Sequence, residues 1–113
     1  MRIVQKPWGH EEIWAETDRY AGKFLIIHQG GKLSRQYHER KDESICVIEG
    51  ILTLELGRGP DEVRKLAPGD TFHIAAGTVH RFCAESGPVR LAEVSTPELN
   101  DVVRLEDIYA RVP

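Results

Sequence analysis

Short apolar segments, broken at regular intervals by glycine, proline and aspartate, set the pattern of this chain. Turn signals fall at Gly22, Gly30-Gly31, Gly50, Gly57 to Pro60, Pro68-Gly69-Asp70, Gly77 and Gly87-Pro88. The pieces between them are mostly of strand length. Residues 51–56 alternate, with Leu52, Leu54 and Leu56 on one face and Ile51, Thr53 and Glu55 on the other, the period of two of a strand whose faces differ. Residues 45–48 and 89–94 are β-branched or aliphatic in the same way. This spacing predicts an all-β sandwich or barrel of about eight to ten strands. Gly50 leaves almost no loop between residues 43–49 and 51–56, which predicts that these two strands pair as antiparallel neighbours. Helical spacing is approximated at one place, where Val102, Val103, Leu105, Ile108 and Tyr109 form a stripe interrupted by Glu106, Asp107 and Arg111. It predicts a short C-terminal helix packed outside the sheets.

Composition narrows the class. With 113 residues, 41% hydrophobic and 29% charged, the chain suits one domain spanning 1–113 with one core and is too short for two. There is no internal repeat or low-complexity tract. Fifteen basic against 18 acidic residues give a formal charge of -3, which removes the electrostatic case for binding nucleic acid or an anionic membrane. Met1 to His10 carries charges and a Pro-Trp-Gly where a signal peptide needs an apolar run, so the expected location is cytoplasmic, without membrane insertion. Cys46 and Cys83 lie in strand-like apolar surroundings without Cys-x-x-Cys spacing, the pattern of buried free thiols. The exposed edges of so small a sandwich are commonly covered by a second copy, so a homodimer is expected. Trp8 and Trp14 are expected to cap the barrel end or a partner subunit.

Candidate chemistry rests on histidine. Of His10, His28, His38, His73 and His80, His38 lies two residues after Gln36 in a strand-like stretch, so the two share a face. Glu43 opens the next apolar run, and His80 follows Gly77 far along the chain. In a barrel, side chains from separate strands converge on the interior, so Gln36, His38, Glu43 and His80 can meet. Two imidazoles, a carboxylate and an amide oxygen form a nitrogen and oxygen set suited to a divalent metal ion: zinc, manganese, iron, nickel or cobalt. No thiolate takes part, so a site closed by four cysteines is excluded.

The glycine frame around these residues resembles the cupin superfamily. Gly30, five residues, Gln36-Tyr37-His38, four residues, Glu43, six residues and Gly50 match its first motif, with Gln36 at the first histidine of the usual His-x-His pair. Gly69, five residues, Ala75-Ala76-Gly77, two residues and His80 match the second, with Ala75 at the usual proline. Residues 31–38, Glu43 and residues 76–81, together with Lys6-Pro7-Trp8-Gly9, Glu93-Val94, residues 101–107, Tyr109 and Arg111, are similar to the mannose-6-phosphate isomerase module of bifunctional mannose-1-phosphate guanylyltransferase/isomerases. The resemblance implies a double-stranded β-helix, the cupin jelly roll, with Gln36, His38, Glu43 and His80 as metal ligands. The family's basic residues near the metal fall on Arg81 and, where Arg is usual, on Lys41. Lysine supplies charge without the planar fork that grips a phosphate or carboxylate in two places.

These residues suggest a metal-dependent sugar or sugar-phosphate isomerase, since moving a proton between adjacent carbons requires an enediolate to be stabilised. Glu93, His73 and His28 are the candidate bases. Glu93 alternatively faces solvent, as a strand has two faces, and His73 and His28 are as readily ordinary strand residues. Arg81, adjacent to His80, belongs on the opposite face of a regular strand. The implied partner is a sugar or sugar phosphate. Two other readings stay open: a nonhaem iron dioxygenase using His38, Glu43 and His80, and a non-catalytic cupin holding a carbohydrate or small acid. Guanylyl transfer is not expected from a single barrel.

Overall fold

A computed structural model describes residues 1–110. These residues form eleven strands: β1 (Arg2–Lys6), β2 (Gly9–Glu16), β3 (Ala21–Ile27), β4 (Arg35–Tyr37), β5 (Glu43–Glu49), β6 (Leu52–Leu56), β7 (Glu62–Leu66), β8 (Thr71–Ile74), β9 (His80–Cys83), β10 (Val89–Ser95) and β11 (Val103–Glu106). They build two antiparallel sheets, a six-stranded one in the order β1-β2-β3-β10-β5-β8 and a five-stranded one in the order β11-β4-β9-β6-β7. This is the jelly-roll architecture. No helix occurs among the described residues, and none is long and apolar enough to cross a membrane.

Alternation fixes which side chains turn inward. Leu52 and Leu54 on β6, Phe82 on β9, Ile45 and Val47 on β5, and Leu25 and Leu91 on β3 and β10 are at most 1% exposed and pack between the sheets. Burying each such side chain contributes about 1.5–3 kcal/mol. The inward rows change character along the strands. On β3 the row runs Ile27, Leu25, Lys23, and on β10 it runs Val89, Leu91, Glu93, with Lys23 paired to Glu93 in register. One end of the barrel is therefore apolar and the other is lined with buried charge.

Two local expectations are corrected. β5 and β6 do not pair across Gly50: β5 lies between β10 and β8, while β6 lies between β9 and β7. Gly50 is where the chain crosses from one sheet to the other. It has a φ of +81°, and a Cβ there would stand 2.2 Å from the Pro88 carbonyl oxygen, so glycine is needed for the close approach rather than for a hairpin turn. The expected C-terminal helix is also absent from the described residues. Residues 103–106 are strand β11, with Val103, Arg104 and Glu106 opposite Tyr37, Gln36 and Arg35 of β4. Edge pairing and the ion pair from Glu106 to Arg35, 2.8 Å, outweigh a weak helical stripe. Arg111, which belonged to that stretch, lies outside the described residues.

Candidate metal centre

His38 follows β4, Glu43 begins β5 and His80 begins β9, and the jelly roll brings these three strand ends to one level of the charged end. Glu43 Oε1 lies 3.2 Å from His38 Nε2 and 3.5 Å from His80 Nε2, and the candidate ligand atoms of all three fall within 4.8 Å of one another. Ligands held about 2.1 Å from one ion at tetrahedral or octahedral angles stand roughly 3.0–3.4 Å apart. The spacing fits. The rings are also oriented for it, because His38 Nδ1 bonds to the Asp101 carbonyl and His80 Nδ1 to the Thr78 carbonyl, 2.9 Å. Each Nδ1–H is used outward and each Nε2 is left to the centre, the tautomer that a metal ligand needs.

Two buried atoms at this point, His80 Nε2 and Glu43 Oε2, have no hydrogen-bond partner. Leaving both unsatisfied is costly, and a cation between them would satisfy both. Burial pushes the His80 imidazole down to about 4, which keeps it neutral near pH 7. Burial acts upward on Glu43, but its carboxyl neighbour Glu93, the hydrogen bond with His38 and the charge of Lys41 outweigh it and hold the carboxyl well below the usual range. Gln36 pairs with His80 in register and shares its inward face. Its side-chain oxygen accepts a hydrogen bond from buried Ser34 Oγ at 2.6 Å, beside the three clustered ligands.

Behind the centre runs a row of buried charges of alternating sign. Lys41 Nζ lies 3.7 Å from Glu43 and donates to Glu93 at 3.2 Å; Lys23 Nζ lies 3.6 Å from Glu93 and donates to Glu11 at 3.0 Å. Burial and the adjacent charge of Glu43 push the Glu93 carboxyl up to about 7. Alongside opens a pocket lined by Glu11, Lys6, Lys23, Lys41 and Arg104 and bordered by Gln36, His38 and Trp8. Arg104 Nε is buried there without a hydrogen-bond partner.

Other candidates stand elsewhere. Arg81 is 5% exposed but points away from His80, as strand alternation predicts, and its Nε donates to the Leu33 carbonyl at 2.8 Å. With Arg35, Glu55 and Glu106 it forms an ion-pair cluster that fastens the edge strand β11 into the smaller sheet. His73 is exposed on the outer face of the larger sheet and bonds to Asp42 at 2.7 Å, so the fold does not bring it to the pocket. His28 is exposed in the turn after β3. Several contributors were not singled out from the sequence as site residues: Lys23 and Arg104 in the pocket, and two more. Glu11 faces inward on β2 in step with Gly9 and Ile13. Asp101 accepts backbone N–H bonds from Glu39, Arg40 and Lys41 at 3.2, 2.7 and 2.9 Å and so shapes the loop between His38 and Glu43.

Two facing antiparallel sheets around an internal His-Glu-His cluster define a jelly-roll protein with a group of side chains that could hold a metal ion. The chain belongs to the cupin family, whose Cupin domain signature matches residues 23–95. It is 33% identical over 117 residues to the mannose-1-phosphate guanylyltransferase ManC of Salmonella typhimurium, a match covering 98% of this chain and 23% of that protein. The chain thus spans about a quarter of the length of the curated relatives it matches. Among solved structures it superposes on KdgF from a Halomonas species with a TM-score of 0.76 at 24% identity, over 89% of this chain and 92% of that one. A sugar phosphate isomerase of the cupin superfamily from Silicibacter pomeroyi matches at TM-score 0.61 and 27% identity, over 69% of this chain and 50% of that one.

Proposed function

We propose that this protein is a metal-dependent aldose-ketose isomerase acting on an anionic sugar such as a sugar phosphate. The observation that carries this reading is one pocket in which a carboxylate, Glu11, and the cations Lys6, Lys23, Lys41 and Arg104 stand beside the His-Glu-His cluster. Relatives and neighbours that bear mannose-phosphate and sugar-phosphate names support it.

His38, Glu43 and His80, with Gln36 as a fourth donor, would hold the ion. A divalent ion supplies Lewis acidity that polarises the carbonyl and adjacent hydroxyl oxygens of the sugar. The residues around it carry the proton transfers. Glu11 takes the proton from the carbon next to the carbonyl and returns it to the neighbouring carbon. Lys41 gives a proton to the carbonyl oxygen and regains one from the hydroxyl, so protons balance over the cycle. Glu93 positions Lys41 and Lys23 from behind. Arg104 and Lys6, both lining the pocket, take the anionic group of the substrate. Arg81 supports the site through β11.

Mannose 6-phosphate incubated in deuterium oxide with protein loaded in turn with zinc, manganese, iron, nickel and cobalt provides the test. Fructose 6-phosphate carrying deuterium at the transferred position is expected with at least one ion. Absence of both turnover and exchange across a panel of aldoses and sugar phosphates overturns the reading.

A further inference from the structure

Strand β1 faces the opposite way from what its hydrophobicity favours. Ile3 and Gln5 are turned out, Ile3 with 47% of its surface exposed, while Arg2, Val4 and Lys6 line a cavity on the inner side. Burying the isoleucine and leaving both cations in water is the arrangement that transfer energies favour. Inward charges on an edge strand also deter pairing with other chains, but that purpose needs no cavity beneath them.

The cavity, about 110 Å³, lies between β1, β2 and the segment that carries Leu99 and Asn100. Lys6, Glu11, Lys23 and Leu99 line it and also line the smaller pocket, about 60 Å³, beside the His-Glu-His cluster. The two are therefore an inner and an outer lobe of one site with a shared waist. In register Arg2 stands opposite Ile13 and Lys6 opposite Gly9, about 13 Å apart along the strand, so the two cations mark opposite ends of the wall that β1 gives to the outer lobe. Val4, Ile13 and Leu99 supply apolar surface to that lobe. A sugar whose carbonyl end occupies the inner lobe must pass its remaining carbons through the waist, and its far end comes to rest in the outer lobe.

Arg2 is placed to meet that end. Its Nη2 donates to Glu16 Oε1 at 2.8 Å and to Oε2 at 3.0 Å, and its Nε and Nη1 carry no hydrogen bond among the described residues. The N–H groups on those two nitrogens are left for another acceptor. The pair with Glu16 is about half exposed on both sides, so it contributes little stability and is readily shared with an incoming anion. Resting on the isomerase reading for the class of ligand, we propose that Arg2 is a specificity-determining residue: it makes the site select a phosphorylated sugar over its neutral parent by reaching the terminal phosphate from the outer lobe, while Lys6 and Arg104 meet the same group from the inner side.

Mannitol 1-phosphate, the reduced form of mannose 6-phosphate, and mannitol are the probes. Neither has a carbonyl, so calorimetric titration of the protein with zinc present reads binding without turnover. The phosphate should bind more tightly than mannitol. Arg2→Gln should weaken mannitol 1-phosphate about tenfold and leave mannitol and zinc within about twofold, and Arg2→Lys, which keeps the charge, should lose less. Wild-type protein without a preference for the phosphate overturns the proposal, as does a preference that Arg2→Gln leaves unchanged. A parallel loss of zinc or mannitol affinity in Arg2→Gln overturns it too, because that is the mark of a structural role. The isomerase reading is decided separately, by turnover and deuterium exchange. Turnover with an unaltered preference in Arg2→Gln keeps that reading and removes the role of Arg2; an Arg2-dependent preference without turnover does the reverse.

Discussion

Glu11 and Arg104 line one pocket but carry different burdens under the proposed chemistry, and kinetics can separate them. Glu11→Gln keeps the shape and the hydrogen bond to Lys23 while removing the base, so kcat should fall about 10²–10⁴-fold with KM nearly constant. Arg104→Gln removes a charge-assisted contact to the anionic group and should raise KM about 10–100-fold with a smaller change in kcat. Steady-state assays on both variants check the split, and equal effects on both constants would dissociate these residues from the assigned roles. His38, Glu43 and His80 were legible in the sequence because their glycine frames mark strand ends. Glu93 was ambiguous for a physical reason. The outward face of β10 is as apolar as the inward one, with Val94 54% exposed, so hydrophobicity does not say which way a neighbouring carboxylate turns. Glu11 was visible in principle: alternation from Gly9 through Ile13 puts it inside and leaves His10 and Glu12 paired outside, 3.0 Å apart.

At the scale of elements, the loop between β4 and β5 and the segment before β11 work as one unit. Asp101 holds three backbone N–H groups of that loop with its carboxylate, and its own carbonyl receives His38 Nδ1. Those bonds hold the carboxyl of Asp101 below its ordinary value. Asp101→Ala should therefore loosen His38 and Lys41 together and weaken metal binding about 10–100-fold, while Asp101→Asn, which retains an acceptor, loses less. Competitive titration against a chromophoric chelator reads the difference; an unchanged affinity in Asp101→Ala would assign the clamp a purely structural role. The sequence pattern suggested helix here because Val102, Val103 and Leu105 recur at helical spacing. What decided the outcome is long-range: Arg35, more than sixty positions earlier, offers its guanidinium to Glu106, and β4 has a free edge for β11 to pair with. The same holds at Gly50. A short turn signal is consistent with a hairpin, and the partners that take β5 and β6 into separate sheets come from β10 and β9, which local pattern cannot specify.

For the whole molecule, the buried charges, together with a metal held at the proposed centre, set how stability varies with pH. His80 is held near 4 by burial, so below its ordinary value of about 6.5 the unfolded chain takes up a proton that the folded chain resists. The stability associated with neutral His80 is present above about 6.5 and is lost as pH falls towards 4. Glu93 acts in the opposite sense. Held near 7 by burial and by Glu43, it contributes stability below about 4.5 that is lost as pH rises through 7. In metal-free protein the two slopes offset each other between about pH 5 and 6.5. Glu93→Gln removes one of them, so chemical denaturation of that variant should show stability rising with pH across this window while wild type stays nearly flat. Under the proposed site, saturating metal adds a third influence, since an ion held there would bind neutral His80 and protons would compete with it. At a free metal concentration of 100 Kd the folded state gains about 2.7 kcal/mol, and this gain should shrink as pH falls below 6.5. Thermal melts with and without chelator across the same range measure it. A metal-induced increase in Tm that is independent of pH would place the ion away from His80, and with it the centre around which the rest of the barrel is arranged.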